Sequence, residues 1–421
     1  MSEGPGPGAQ RAPRILVISN LFPPAVQGGY ELECATVVEH LRRHHSVLVL
    51  TSVRGSGLDP EAGVVRRLPF VGSGRVRSLL APLDAIRAAR TMRQVLASFQ
   101  PTLVYVWNGA MIPQAALRIA ETSGVRVAYR ICEHWFGRVY RSDRFMRHLY
   151  PGERGLRGVW AGLMRIVNRL PVLRLDVSRR VPVAVSWNSE SLRRLTDVPA
   201  TAEILLERVV HPATKNGEAL DGLRRAPAAT PTVAFIGRVD EYKGTHVAYQ
   251  ALAELRDRHG IVARLVVAGF GDAGYRAHLR ELAEELGITP SVEDRGPLEL
   301  DGLTDLLAEA HVVVVPSVWA EPAGLVCVEA ALARAPVVAS RVGGIPELLR
   351  DEEDALLVPP GDAGACADAL ARTLREESAT AARVESAYQA VQRFRLPVYL
   401  ERMHEFLDAA VAELPSKADG G

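Results

Sequence analysis

The chain is poor in lysine: of its 50 basic residues only Lys215, Lys243 and Lys417 are lysines, the rest being arginine. It also has almost no net charge, +1 at pH 7 from 50 basic and 49 acidic side chains. A neutral chain has no global attraction for nucleic acid or an anionic membrane, so a nucleic-acid partner is not expected. Cysteine is scarce too. Cys34, Cys132, Cys327 and Cys366 lie far apart with no C-x-x-C pair, which reads as buried thiols in a reducing compartment rather than a disulfide framework or zinc site. No apolar run approaches the roughly 18 residues of a membrane span. Met1–Pro13 is rich in Gly and Pro and lacks an apolar signal core, so a disordered tail and a cytoplasmic protein are expected. No D-x-D pair or histidine cluster stands out as a catalytic metal site.

What is present is a globular composition, 48% hydrophobic and 24% charged, over 421 residues. That length exceeds one ordinary core and suggests two domains of about 200 residues each. Arg14–Ser19 reads as a buried strand, followed by a loop ending in Gly28-Gly29 and a helix with Leu32, Ala35, Val38 and Leu41 on one face. Val47–Leu50 is the next strand, so the chain opens as β–loop–α–β, the start of a doubly wound sheet. The glycine pair stands where backbone amides can approach a phosphate, but it is not G-x-G-x-x-G, and a simple turn explains it equally well. Leu103–Trp107, Val125–Tyr129 and Pro182–Ser186 continue the sheet. His134 follows the second of these, near the strand end where open α/β sheets bind ligands; a structural histidine is the plain alternative.

Arg130–Arg180 carries twelve arginines against four acidic residues, Glu133, Asp143, Glu153 and Asp176. An inserted helix pair with a solvated basic face accounts for it; the alternative is a surface for an anionic acceptor or peripheral membrane contact. Residues 216–231 lack apolar periodicity and read as a linker between a first domain at 14–215 and a second at 232–392. The second series of strands runs Thr232–Ile236, Arg264–Ala268, Val312–Val315, Pro336–Ala339 and Leu356–Val358. A terminal helix, 393–415, is broken near Pro397.

Three stretches carry chemistry. After Val312–Val315, Pro316, Pro322 and Gly324 break the strand, and a helix starts at Leu325 and Val326. Helix-start amides suit an anion, and carboxylates on either side, Glu321 and Glu329, suit the hydroxyls of whatever carries that anion. Gly237-Arg238-Val-Asp240-Glu-Tyr-Lys243-Gly244 follows a strand directly, and its guanidinium and ammonium can grip two phosphates; a solvated turn is the plain reading. Ala268-Gly269-Phe-Gly271-Asp272 is a strand followed by a glycine loop.

Taken together, E-x7-E from Glu321 to Glu329, the G-R-x(n)-K-G of Gly237–Gly244, the G-x-G-D of Gly269–Asp272 and V-G-G-x-x-E ending at Glu347 resemble the GT4-like retaining glycosyltransferases. The resemblance implies the GT-B fold, two Rossmann-like α/β domains facing across a cleft, with the terminal helix returning to the first. It implies transfer of a sugar from a nucleotide-diphosphate sugar to a hydroxyl acceptor, with no cofactor beyond that co-substrate and no catalytic metal. By the same resemblance Arg238 and Lys243 neutralise the leaving diphosphate, and Glu329 accepts the ribose hydroxyls. Glu321, with Gly324, Leu325 and Val326, holds the donor sugar, and His134 contacts it from the first domain. Gly28, Gly29, Gly237, Gly269, Gly271 and Pro297 border the donor. Ala323, where many members carry Phe, and His211-Pro212, where Asn-Gly is usual, depart from the pattern. A GT-B sugar-nucleotide epimerase and a non-catalytic nucleotide-sugar binder are the alternatives.

Overall fold

The computed structural model describes residues 13–54, 63–71, 79–149 and 155–416. Residues 1–12 of the expected tail, Glu153 and Arg154 of the basic stretch, and Lys417 lie outside them. The chain divides into two compact units. One comprises the residues through Trp187, Arg194–Val210 and the segment from Leu400; the other comprises Asn188–Arg193 and His211–Tyr399.

The first unit is built on β1 (Arg14–Ser19), β2 (Ser46–Ser52), β3 (Val64–Leu68), β4 (Leu103–Asn108), β5 (Arg126–Ile131), β6 (Val181–Trp187) and β7 (Ala202–Val209). They pair in the order β3-β2-β1-β4-β5-β6-β7, all parallel. Parallel neighbours need crossovers, and the helices Gly29–Leu41 and Ala81–Phe99 supply those from β1 to β2 and from β3 to β4. The inner strands β1, β4 and β5 are buried almost throughout, as strands covered on both faces must be. The last helix, Leu396–Glu413, enters this unit from Leu400 onward. Met403, Phe406, Leu407 and Ala410, at helical spacing, are buried, and Arg126 Nε donates to the Leu414 carbonyl at 2.7 Å.

The second unit holds β8 (Thr232–Ile236), β9 (Arg264–Ala268), β10 (Val292–Gly296), β11 (Val312–Val315), β12 (Val337–Ser340) and β13 (Leu356–Val358), in the order β10-β9-β8-β11-β12-β13. That is the 3-2-1-4-5-6 winding of dinucleotide-binding sheets, and the first unit has it with a seventh strand added. The order reverses between β8 and β11, so a crevice opens at the carboxyl ends of those two strands. Along β11, Val313 and Val315 face one hydrophobic layer while Val312 and Val314 face the other.

Three strands, β3, β7 and β10, were not expected from the sequence, and each is an edge of its sheet. The expected linker is a correction. Within 216–231, the helix Gly217–Asp221 buries Leu220 in the second unit's core. Arg225 donates to the carbonyls of Leu307, at 2.6 Å, and Ala310, and its burial pulls its pKa down to about 10. The chain changes units between Val210 and His211 instead. The break in the terminal helix falls at 392–395, between the helices Glu377–Val391 and Leu396–Glu413. Pro397 therefore sits in a first helical turn, where its missing N–H costs nothing. All four cysteines are buried free thiols, as expected, and burial pushes Cys327 and Cys366 up to about 12. Among the described residues, no helix is long and apolar enough to cross a membrane.

Candidate functional site

The loops leaving β8 and β11 meet in the second unit's crevice. Gly244, at φ +69°, lets the first approach the second, because a Cβ there would lie 1.9 Å from the Pro316 carbonyl oxygen. The preceding residue, Lys243, points its ammonium at Glu321 of the β11 loop, with Nζ 2.6 Å from Oε2. Ser317 Oγ at 3.1 Å and Trp319 Nε1 at 3.3 Å donate to the same oxygen, and Glu321 is buried. Behind it the Gly343-Gly344 turn clamps the backbone. Gly344 N donates to the Glu321 carbonyl at 2.8 Å, and Gly343, at φ +56°, presses so close that no side chain would fit. Asp240 ties in the second cation. Its Oδ1 accepts the Lys243 amide at 2.8 Å, and its Oδ2 pairs with Arg238 at 3.1 Å. Arg238 itself is exposed, with 62% of its side chain accessible.

Gly324 caps the helix Leu325–Leu332 in a left-handed conformation, φ +87°. The amides of Leu325 and Val326, both half-buried, begin that helix, where N–H groups lack intrahelical acceptors. Glu329 lies one turn further on. Its Oε1 accepts from Thr214 Oγ1 at 2.6 Å and Asn216 Nδ2 at 3.1 Å; Oε2 accepts neither of these bonds. Burial raises the Glu329 carboxyl, against the lowering effect of those two donors and Lys215. Ala323 is buried, its backbone packed beside Gly344.

The glycines divide by their surroundings. Gly237 and Gly269 have φ +145° and +147°. A Cβ at Gly269 would lie 1.7 Å from the Gly237 carbonyl oxygen, and one at Gly271 would press on Val239 at 2.7 Å, so packing accounts for both. A Cβ at Gly237 would meet nothing, which leaves that backbone open to a ligand. Pro297, past the end of β10, is exposed.

In the first unit, Gly28 and Gly29 also face open space. The Gly28 amide already donates to the Glu31 carboxylate at 2.9 Å, so an anion there would compete with that side chain. His134 Nδ1 lies 2.9 Å from Thr196 Oγ1 in an open pocket of about 400 Å³ lined by Gly137, Arg138, Leu195 and Asp197 as well. Arg130 does not belong to a basic surface. It is fully buried and donates to the carbonyl of Val210 at 2.7 Å and to Glu33 at 3.2 Å. The helix Gly155–Asn168 has Val159, Leu163 and Ile166 exposed on one stripe, continued by Leu170, beside exposed Arg165 and Arg169.

The structure thus gathers Lys243, Glu321, Gly324, Leu325 and Glu329 on two neighbouring loops and one helix, with Arg238 at the rim. Thr214, Asn216, Ser317, Trp319 and Asp240 join the site without a sequence signal. Glu347, which ends the V-G-G-x-x-E pattern, accepts from the Glu190 amide at 2.8 Å, the Ser191 amide at 2.7 Å and His211 at 2.9 Å. Those partners outweigh its burial and hold its carboxyl below the usual carboxylate range. The histidine cluster not seen in the sequence is also present, in the first unit, where the fold brings His45, His404 and Asp408 together.

Residues 224–390 match the family model described as Glycosyl transferases group 1. A D-inositol 3-phosphate glycosyltransferase from Corynebacterium jeikeium is 34% identical over 199 residues, 46% of this chain and 46% of that protein. The chain spans about half the length of the curated relatives it matches. A sucrose-phosphate synthase from Thermosynechococcus elongatus superposes with TM-score 0.68 at 21% identity, covering 95% of this chain and 99% of that one. Anabaena HepE, solved in complex with UDP and glucose, superposes with TM-score 0.65 at 20% identity, covering 94% and 100%. At these identities the likeness is one of fold, the GT-B architecture.

Proposed function

We propose that this chain, whose residues 224–390 match the model of the group 1 glycosyl transferases, moves a sugar from a nucleoside-diphosphate sugar to a hydroxyl acceptor, with retention of configuration and no catalytic metal. The observation that carries this reading is the Lys243 ammonium held 2.6 Å from the Glu321 carboxylate at the crevice between β8 and β11, beside a helix start. Negative charge grows on the diphosphate as it leaves, and fixed positive groups there stabilise the transition state most. Lys243 and Arg238 are assigned that task, which a metal performs elsewhere, aided by the amides of Leu325 and Val326. Glu321 is assigned the hydroxyls of the sugar and Glu329 those of the ribose, through Oε2. His134, in the first unit's pocket, is assigned a substrate contact. In the reaction the bond from the anomeric carbon to phosphate breaks and the bond to the acceptor oxygen forms on the same face. The acceptor's proton passes to the departing phosphate oxygen, so no enzymic nucleophile is required.

A thermal-shift panel of UDP-, GDP-, ADP- and dTDP-sugars without added metal tests the reading. A donor at about 100 times its Kd should add about 2.7 kcal/mol of stability, and Lys243→Ala should abolish the shift. No shift with any donor, together with no sugar transfer, would overturn it. Conversion of the donor sugar without an acceptor would favour the epimerase.

A membrane-borne acceptor is favoured by one observation, the exposed stripe Val159, Leu163 and Ile166 flanked by Arg165 and Arg169. Apolar and cationic groups on one helix suit an anionic lipid surface. Sedimentation with phosphatidylglycerol vesicles, lost in Val159→Ser/Ile166→Ser, is expected; equal sedimentation of both proteins would refute it.

A further inference from the structure

A second concentration of chemistry lies in the first unit and takes no part in the proposed transfer. The helix Gly29–Leu41 ends in a tight turn in which the amides of His44, at 3.0 Å, and His45, at 2.8 Å, both donate to the Leu41 carbonyl. That turn brings His44 and His45 back toward His40 at the helix end. The helix Leu396–Glu413 passes over this corner and presents His404 and Asp408, one turn apart on one face. His45 and His404, which are 359 residues apart in sequence, meet with their Nε2 atoms 3.2 Å apart. Asp408 closes the triangle, Oδ2 lying 3.3 Å from His404 Nε2 and Oδ1 3.9 Å from His45 Nε2. The rings of His44 and His40 stand edge-on to His404, with centroids 5.2 and 5.7 Å away.

The spacing of these ligand atoms is informative. Two ligands each about 2.0–2.1 Å from a tetrahedral zinc ion lie about 3.3 Å apart, so the His45–His404 and His404–Asp408 separations already match edges of such a site. Two imidazole nitrogens and a carboxylate oxygen form a borderline donor set, suited to Zn²⁺ and its first-row neighbours rather than to Ca²⁺ or Mg²⁺. Access is also provided for: the His45 side chain is only 6% exposed while Asp408 is 56% exposed, so an ion and a completing water can enter from the Asp408 side.

We propose that His45, His404 and Asp408 form a site for a divalent transition ion, Zn²⁺ foremost, which fastens the last helix to the corner before β2. Without the ion, one of the two facing rings carries its proton on Nε2 and donates to the other. With it, the cation takes that proton's place and the donor ring moves its proton to Nδ1. The Nδ1 of His45 is buried without a hydrogen-bond partner. A ligating histidine normally donates from its second nitrogen, and losing that support costs about 10–100-fold in affinity, so binding weaker than at a structural zinc centre is expected.

The test uses the full chain, stripped with a chelator and dialysed, with Co²⁺ as a spectroscopic probe and Zn²⁺ as its competitor. One equivalent of Co²⁺ should give the visible band of a tetrahedral site, Zn²⁺ should displace it, and either ion should raise the melting temperature. His404→Ala should weaken binding at least about tenfold, as for lesser losses around a metal. Asp408→Asn, at an exposed position, should do the same without disturbing the fold. Donor binding by the second unit should be the same with and without Zn²⁺. No stoichiometric uptake, or uptake unchanged in folded Asp408→Asn, would overturn the proposal.

Discussion

Lys243 and Glu321 hold each other, and the proposed reaction separates them, the diphosphate taking the ammonium and a sugar hydroxyl the carboxylate. The carboxylate is not abandoned when the lysine goes, because Ser317 and Trp319 still donate to Oε2. Lys243→Ala is therefore expected to cost only about 1 kcal/mol, the low end for a buried group losing one partner. Turnover should fall about 100- to 1000-fold, as when one donor to a developing anion is removed. Urea denaturation and initial rates on the same preparation read the two effects separately. A variant that loses several kcal/mol yet keeps its rate would make the lysine a structural residue.

At the scale of elements, two glycines separate packing from ligand approach. Gly244→Ala forces a Cβ to within 1.9 Å of the Pro316 carbonyl in a left-handed backbone, so the β8 and β11 loops must part. A loss of at least about 1–3 kcal/mol is expected, together with the activity, since Lys243 moves with the loop. Gly28→Ala has open space and an extended backbone, φ −167°, so its stability should stay within about 0.5 kcal/mol of the parent. Loss of activity in this second variant alone would mark Gly28 as a place of donor approach. Glu347 joins three elements, through the amides of Glu190 and Ser191 and the His211 ring. Its native pKa is depressed below 4.5, so its contribution is full above that value and drains as pH falls through the lower native one. The melting-temperature gap between the wild type and Glu347→Gln should be constant near neutrality and close below about pH 4.5. A gap that persists unchanged at acid pH would refute the linkage.

The same scale explains what could be read in advance. β1, β4, β8 and β11 are covered on both faces and appear as unbroken apolar runs. The missed strands β3, β7 and β10 are edges with polar sequences such as Val-Glu-Asp-Arg-Gly, which alone resemble loops. Lys243 and Glu321 were legible because each follows a strand end within a few residues. Thr214, bonded to a residue 115 positions away, could not be identified, because only the folded chain brings it to Glu329. His45 and His404 were hidden for the same reason.

For the molecule as a whole, the last helix is the element on which the first unit depends. Leu407 is fully buried there, and Leu407→Ala should cost about 2–5 kcal/mol, as for other buried leucines. Tryptophan fluorescence reports this cleanly, since Trp107, Trp135, Trp160 and Trp187 lie in the first unit and only Trp319 in the second. The denaturation midpoint followed by fluorescence should drop, and an unchanged midpoint would mean that the helix adds nothing to that core. Because residues from Leu400 belong with the opening of the chain, the unit that leaves the ribosome first is completed last. At about 5–20 residues per second, the intervening 211–399 takes roughly 10–40 s to synthesise. Throughout that interval the nascent first unit has an open seam where Met403, Phe406 and Leu407 will lie, a surface for chaperones to shelter until the segment from Leu400 has been made.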